Sequence, residues 1–190
     1  MSRLKALMFN RKASSLKSKP DKVLKALSIQ PGQHVADIGV GGGYFTIRFA
    51  EAVREDGVVY GVDTRQEFLD ILKRDADKKR LTNIKPVPAQ HLKSSIPEQS
   101  LDHVFLRNVY HHLKNRIQYF REISPLLKPD GRIAVIEYNG AGGLSFHKLF
   151  GHYVPQKEII EEMKEAGYIK DKQFDFLDEQ SFTVFSQKKI

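Results

Sequence analysis

The apolar residues of this chain switch repeatedly between a spacing of two and a spacing of three to four, and that alternation limits the fold more than any other feature. Residues 34–38 and 58–63, "HVADI" and "VVYGVD", are short runs of the kind that make buried strands. Between them "GYFTIRFAEAV" repeats Phe45, Phe49, Ala52 and Val53 at helical spacing until Asp56-Gly57 breaks the pattern. "RQEFLDILKRDADKKR" predicts an amphipathic helix with Phe68, Leu69 and Leu72 inward. "NIKPVPA" predicts a third strand, weakened by its two prolines, and "LDHVFLRN" a fourth over 101–107. "RIQYFREISPLLK" reads as a helix stopped by Pro129, after which Asp130-Gly131 turns the chain into a fifth strand, "RIAVIEY". A helix opened by Pro155 and ended by Gly167 follows, then two strands at about 169–176 and 181–188. Ahead of all these, "KPDKVLKALSI" predicts a short helix opened by Pro20 and Asp21.

Strands alternating with helices argue for an α/β fold, a mainly parallel, doubly wound sheet with helices on both faces. The last two strands have no helix between them and should form an antiparallel pair. A chain of 190 residues, 41% of them hydrophobic, suits one domain with a real core. No apolar run approaches the roughly 20 residues of a membrane span, and the N-terminal stretch lacks the apolar centre of a secretory signal. A cytoplasmic location is therefore the expectation. With no cysteine, disulfides, thiolate metal sites and cysteine nucleophiles are excluded.

The formal net charge of +8 is concentrated at one end. Arg3, Lys5, Arg11, Lys12, Lys17, Lys19, Lys22 and Lys25 face the single acid Asp21 in residues 1–25, and the rest of the chain is nearly neutral. The expected organisation is a basic arm, 1–19, followed by a single domain, 20–190. Such an arm suits an anionic partner, either a lipid surface or a nucleic acid; the plainer reading is a partly disordered, solubilising leader. The near-neutral body argues against extensive nucleic-acid contact.

"VADIGVGGGYFT" sits where a doubly wound sheet binds ligands, beyond the carboxyl end of its first strand. Gly39, Gly41 and Gly43 let the backbone turn tightly and let a ligand approach it. A dinucleotide fingerprint would need glycine or alanine as its sixth residue, and counting from Gly39 or Gly41 that residue is Tyr44 or Thr46 instead. Asp37, two residues before the first glycine, would be a poor neighbour for a pyrophosphate but suits a ligand with an ammonium group. Asp63 closes the second strand, where a carboxylate can accept from both hydroxyls of a ribose. S-adenosyl-L-methionine has both features.

At this point five segments in order, "VADIGVGGGYFT", "GVVYGVD", "SLDHVFLRNVYHHL", "LLKPDGRIAVIEY" and "EEMKEAGY", resemble the successive motifs of the class I S-adenosylmethionine-dependent methyltransferases. The branch they resemble is the small type 11 group that includes quinone-biosynthesis methyltransferases, over about residues 20–188. The resemblance implies a Rossmann-like, seven-stranded sheet of order 3-2-1-4-5-7-6 with strand 7 antiparallel. It also implies that Asp37, Gly39 and Gly41 line the methionine end of the cofactor and that Asp63 holds the ribose, with Thr64 near the adenine. Gln90, or alternatively Ala89, falls where the family often has an acid facing the adenine amino group, a departure, and Arg107 and Asn108 fall beside the methionine part or the acceptor.

Candidates for a general base are His111, in "YHHL" after the fourth strand, and His152, in "FHKLFGHYVP" after the fifth. Neighbouring His112 and His147, and Glu137 at the end of the fifth strand, are weaker candidates. No histidine spacing supports a metal site, and none is expected. The expected activity is methyl transfer to a small, partly hydrophobic acceptor. The alternatives are an RNA or protein methyltransferase using the basic arm, and a non-catalytic binder of S-adenosylmethionine. Peripheral membrane contact through the arm is a further expectation; the sequence does not define an oligomeric state.

Overall fold

The computed structural model describes residues 2–139 and 153–188. A seven-stranded sheet runs through the molecule in the order β3-β2-β1-β4-β5-β7-β6. Its strands are β1 His34–Ile38, β2 Val58–Asp63, β3 Ile84–Pro88, β4 Leu101–Arg107, β5 Leu127–Tyr138, β6 Tyr168–Phe174 and β7 Gln180–Gln187. The first five run parallel, and β7 is antiparallel to both β5 and β6. Order and direction match the sequence expectation. The helices are α1 Ser2–Ala13, α2 Pro20–Leu27, α3 Tyr44–Val53, α4 Gln66–Lys78, α5 Leu92–Ser95, α6 Arg116–Ile123 and α7 Gln156–Glu165.

Alternation along the strands divides the core. On one face Phe105 of β4 packs with Phe45 and Phe49 of α3, ring centroids 5.1 and 5.0 Å away, together with Val35, Val59, and Val23 and Leu27 of α2. On the other face Ala36, Ile38, Val104, Leu106, Ile133 and Val135 meet Phe120 of α6 and Ile159 and Met163 of α7. Removing a ring such as Phe49, which is fully buried, would cost about 3–5 kcal/mol. Strand β3 tolerates Pro86 and Pro88 because it lies at the sheet edge, where missing amide donors break no inner ladder. The opposite edge strand, β6, carries Lys170, Asp171 and Lys172 exposed, which blunts it against pairing with another chain.

Two local expectations change. The helix expected over 116–128 ends at Ile123, because Pro125 offers no amide and its ring crowds the carbonyl of Arg121. A short 3₁₀ turn, Ser124–Leu126, leads directly into β5, which absorbs Pro129-Asp130-Gly131 as an irregularity against β4. The second change concerns the N-terminal residues. Residues 2–13 form a helix that docks on the body through buried Ala6, rather than a loose leader.

Candidate active site

The carboxyl ends of β1, β2, β4 and β5 converge on one edge of the sheet and bring Asp37, Asp63, Arg107 and Glu137 to it. Asp37 pairs in register with Gly61 on one side and Phe105 on the other. It shares the α3 face with Val35, and that places it against Thr46, whose Oγ1 donates to Asp37 Oδ2 at 2.5 Å. Burial raises its carboxyl to about 7, with the Asp63 charge acting in the same direction and the Thr46 bonds and the Arg107 charge opposing it.

Beyond Asp37 the chain turns through Gly39, Gly41 and Gly43, all with positive φ. Gly39, at φ 81°, has no room for a side chain: a Cβ there would lie 2.7 Å from Val109 Cγ2. Gly42, outside the alternating glycines, is required for a different reason. A Cβ there would overlap the Ala6 carbonyl oxygen and Asn10 Oδ1, so α1 rests directly on the loop backbone. Asn10 Oδ1 accepts the Tyr44 amide at 3.1 Å and so caps α3 from another helix. No signal in the sequence pointed to Asn10.

Asp63 spans the loop and the start of the next helix. Gly41 N donates to its Oδ2 at 3.2 Å and Arg65 N to its Oδ1 at 3.0 Å, while burial raises its carboxyl above the ordinary range. Thr64 follows on the exposed side. Gln90, also exposed, lies two residues beyond Pro88, the register partner of Asp63 on β3.

Arg107 ends β4 with its guanidinium 5.2 Å over the Phe45 ring. Its Nη2 donates to Ser18 Oγ at 2.8 Å and to Gln180 Oε1 at 3.2 Å, and its Nε is buried with no hydrogen-bond partner among the described residues. Burial lowers this guanidinium from its ordinary value, while Tyr138, Asp37 and Tyr44 oppose that shift. Gln180 also donates through Nε2 to Asn108 Oδ1. Because β7 runs antiparallel, its first residue, Gln180, pairs with Tyr138 at the carboxyl end of β5. Sequence reasoning missed Ser18 and Gln180, since one lay in the basic arm and the other opened a plain apolar strand.

On the far side of β5 a second pair forms. His111 Nδ1 lies 3.0 Å from Glu137 Oε2, which also accepts the His111 amide at 3.3 Å. Glu137 is fully buried, and its Oε1 accepts the Tyr138 amide at 2.9 Å. The His112 ring centroid is 4.0 Å from that of His111. His147 and His152 lie outside the described residues. Among the described residues no group of three or more His, Asp or Glu side chains is placed to hold a metal ion.

A profile of the methyltransferase-domain family, type 11, matches residues 36–135, just over half of the chain. The chain belongs to that family. Among its curated relatives is a demethylmenaquinone methyltransferase of Geobacillus sp. (strain WCH70), 25% identical over 130 residues, which is 68% of this chain and 56% of the relative. An uncharacterized methyltransferase of Bacillus subtilis is 24% identical over 74% of this chain and 49% of its own length. The chain thus spans about half the length of these relatives.

Among solved structures, a SAM-dependent methyltransferase from Aquifex aeolicus superposes with a TM-score of 0.80 at 20% identity, covering 94% of this chain and 96% of that one. A [4+2]-cyclase superposes with a TM-score of 0.73 at 15% identity, covering 90% and 80%. The fold is shared by both, so the fold by itself does not select methyl transfer.

Membership of a class I, type 11 family implies S-adenosyl-L-methionine as cofactor. The residues present fit it. Asp37 is a buried carboxylate that, among the described residues, takes its charge compensation at a distance from Arg107 and gains from a cationic group above the loop. Asp63 accepts the Gly41 amide on Oδ2 and the Arg65 amide on Oδ1, with the Thr64 backbone also donating to it, and the roughly four lone-pair sites of a carboxylate leave room for a hydroxyl.

Proposed function

We propose that this chain transfers a methyl group from S-adenosylmethionine to a small, partly hydrophobic acceptor. The observation that carries the reading is the convergence of Asp37, the Gly39–Gly43 turn, Asp63 and Arg107 at one sheet edge, in a chain of the type 11 family. When bound, the cofactor supplies a methyl group already activated by a sulfonium, so the protein's work is alignment, water exclusion and, for a protonated acceptor, proton removal.

In this reading Asp37, Gly39, Gly41 and Gly43 receive the methionine end, Asp63 accepts from the ribose hydroxyls, and Thr64 and Gln90 border the adenine. Arg107, held between Phe45, Ser18 and Gln180, presents a fixed positive charge beside that site. Glu137 holds His111 with Nδ1 as donor, which places the neutral ring's lone pair on Nε2 and makes that atom the proton acceptor. His152 is a second candidate for contact with the acceptor. The Geobacillus relative is a demethylmenaquinone methyltransferase, which supports a small-molecule acceptor here.

Calorimetric titration with S-adenosylmethionine and S-adenosylhomocysteine, repeated on Asp63→Ala, tests the cofactor half. Micromolar binding weakened by the substitution supports it; a folded protein that binds neither ligand overturns it. Transfer of a labelled methyl group to a metabolite extract tests the reaction. Binding without transfer to metabolites, RNA or protein would make the chain a cofactor-binding protein instead.

A further inference from the structure

Helix α1 has two opposite faces, and among the described residues only one packs against the body. Ala6, Phe9, Asn10 and Ala13, at helical spacing, turn toward the body: Ala6 is 2% exposed, Phe9 packs edge-on to Phe68 at 5.8 Å, and Asn10 caps α3. Leu4, Leu7, Met8 and Arg11 have the same spacing on the other side. There Leu4, Leu7 and Met8 are 74%, 59% and 58% exposed, and Leu16, in the turn after the helix, is 94% exposed. Apart from Phe9 and Ile169, these are the exposed large hydrophobics among the described residues, and Leu4, Leu7 and Met8 form one concentrated stripe on α1 rather than the usual scatter.

The charges are arranged around that stripe. Arg3 lies on one flank, Lys5 on the other and Arg11 at its end, all exposed, and α1 carries no acid. The first acidic residue of the chain is Asp21. An exposed helix face with leucine and methionine on one stripe and lysine and arginine beside it suits an interface that is apolar below and anionic above. A nucleic acid would use the arginines and lysines but leave the leucine stripe in water.

We propose that the outer face of α1 docks the protein on an anionic lipid surface. Its inner face rests on Gly42 of the glycine loop, so docking would bring the candidate active site to the bilayer. This docking does not depend on the methyl-transfer reading, because none of its residues belongs to the proposed site.

Flotation of the full chain with phosphatidylcholine vesicles, with and without phosphatidylglycerol, tests it. Two variants accompany the wild type: Leu4→Ser/Leu7→Ser/Met8→Ser and Arg3→Glu/Arg11→Glu. All five side chains face solvent, so both variants should keep the wild-type melting temperature. The expected result is flotation with anionic vesicles alone, weakened roughly tenfold or more by the apolar variant and also weakened by the charge variant and by salt. Failure to float with anionic vesicles overturns the proposal, as does flotation indifferent to the apolar variant. A wild-type dimer in vesicle-free buffer that the apolar variant dissociates would assign the stripe to self-association. Binding to polyuridylate in place of vesicles, lost in the charge variant alone, would assign it to nucleic acid.

Discussion

The buried carboxylate of Glu137 holds His111 twice, through Nδ1 at 3.0 Å and through the backbone amide at 3.3 Å. A side chain that grips both the ring and the main chain fixes the ring's direction as well as its tautomer. Glu137 comes from β5 and His111 from the turn after β4, so the pair also ties the two strand ends together. In the proposed reaction His111 is the base and Glu137 its positioning residue. Glu137→Gln is expected to keep cofactor affinity and lower kcat by about 10²-fold, since an amide no longer selects the donor atom. Steady-state kinetics with titration of S-adenosylhomocysteine checks this. Unchanged kcat in the Gln variant would make the pair a structural clasp.

Asp37 should give the folded protein a distinctive response to pH. Burial raises its carboxyl to about 7 from the ordinary 3.8, so between those values the folded state binds a proton that the unfolded state has lost. Stability due to this group therefore falls as pH rises from about 4 to about 7 and is flat above. Asp37→Asn removes the effect, and melting temperatures of the two proteins across pH 4–8 should diverge in that window. Affinity for a cationic ligand should move the other way, rising as Asp37 ionises near pH 7. Parallel stability curves for wild type and variant would refute the shift.

Asp63 carries both a binding role and a structural one. Asp63→Ala removes the acceptor for Gly41 N and Arg65 N as well as the acceptor proposed for the ribose. At about 1.5–3 kcal/mol for each hydrogen bond to a charged group, losing one ribose contact weakens S-adenosylhomocysteine by about tenfold to a hundredfold, and losing both by about 10²- to 10⁴-fold. Asp63→Asn, which retains one acceptor oxygen, should fall between wild type and Ala. Calorimetry of the three proteins gives the order, and equal affinities would remove Asp63 from the site.

The strands were legible because their signals are local, while their order came from the resemblance to the methyltransferase family. Val59, Val62, Val104, Val135 and their neighbours alternate or cluster within a few residues, and the turns between them carry Gly, Pro or Asp. The glycine loop, Asp37 and Asp63 were legible for the same reason, lying within one strand–turn–helix unit or at the next strand's end. What the sequence concealed depends on contacts across long separations. Ser18 and Gln180 converge on Arg107 from 89 and 73 positions away, and nothing near either residue marks it. The N-terminal helix was read from its charges, which describe its outer face. Ala6 and Asn10, which dock its inner face, are too small or too ordinary to give a hydrophobic period. The overlong helix expected before Pro129 is the reverse case: Pro125 was present to stop it, but the apolar spacing through Leu126 and Leu127 looked continuous.

Gly42 offers the most direct test of whether α1 belongs to the site or merely precedes it. It has no positive φ, so an alanine there meets no backbone strain; the whole cost comes from the Ala6 carbonyl and Asn10 side chain above it. One of these is main chain, so the helix itself must move. Overpacking of this kind costs about 1–3 kcal/mol, and the same movement would draw Asn10 from the Tyr44 amide and open the N-terminal end of α3. Gly42→Ala should therefore lower the melting temperature, expose residues 2–13 to limited proteolysis and weaken S-adenosylhomocysteine binding together. Asn10→Ala in the same background should add little, because the cap would already be lost. If Gly42→Ala instead binds the ligand normally while α1 becomes protease-sensitive, the helix is a separable attachment and the glycine loop closes on its ligand without it.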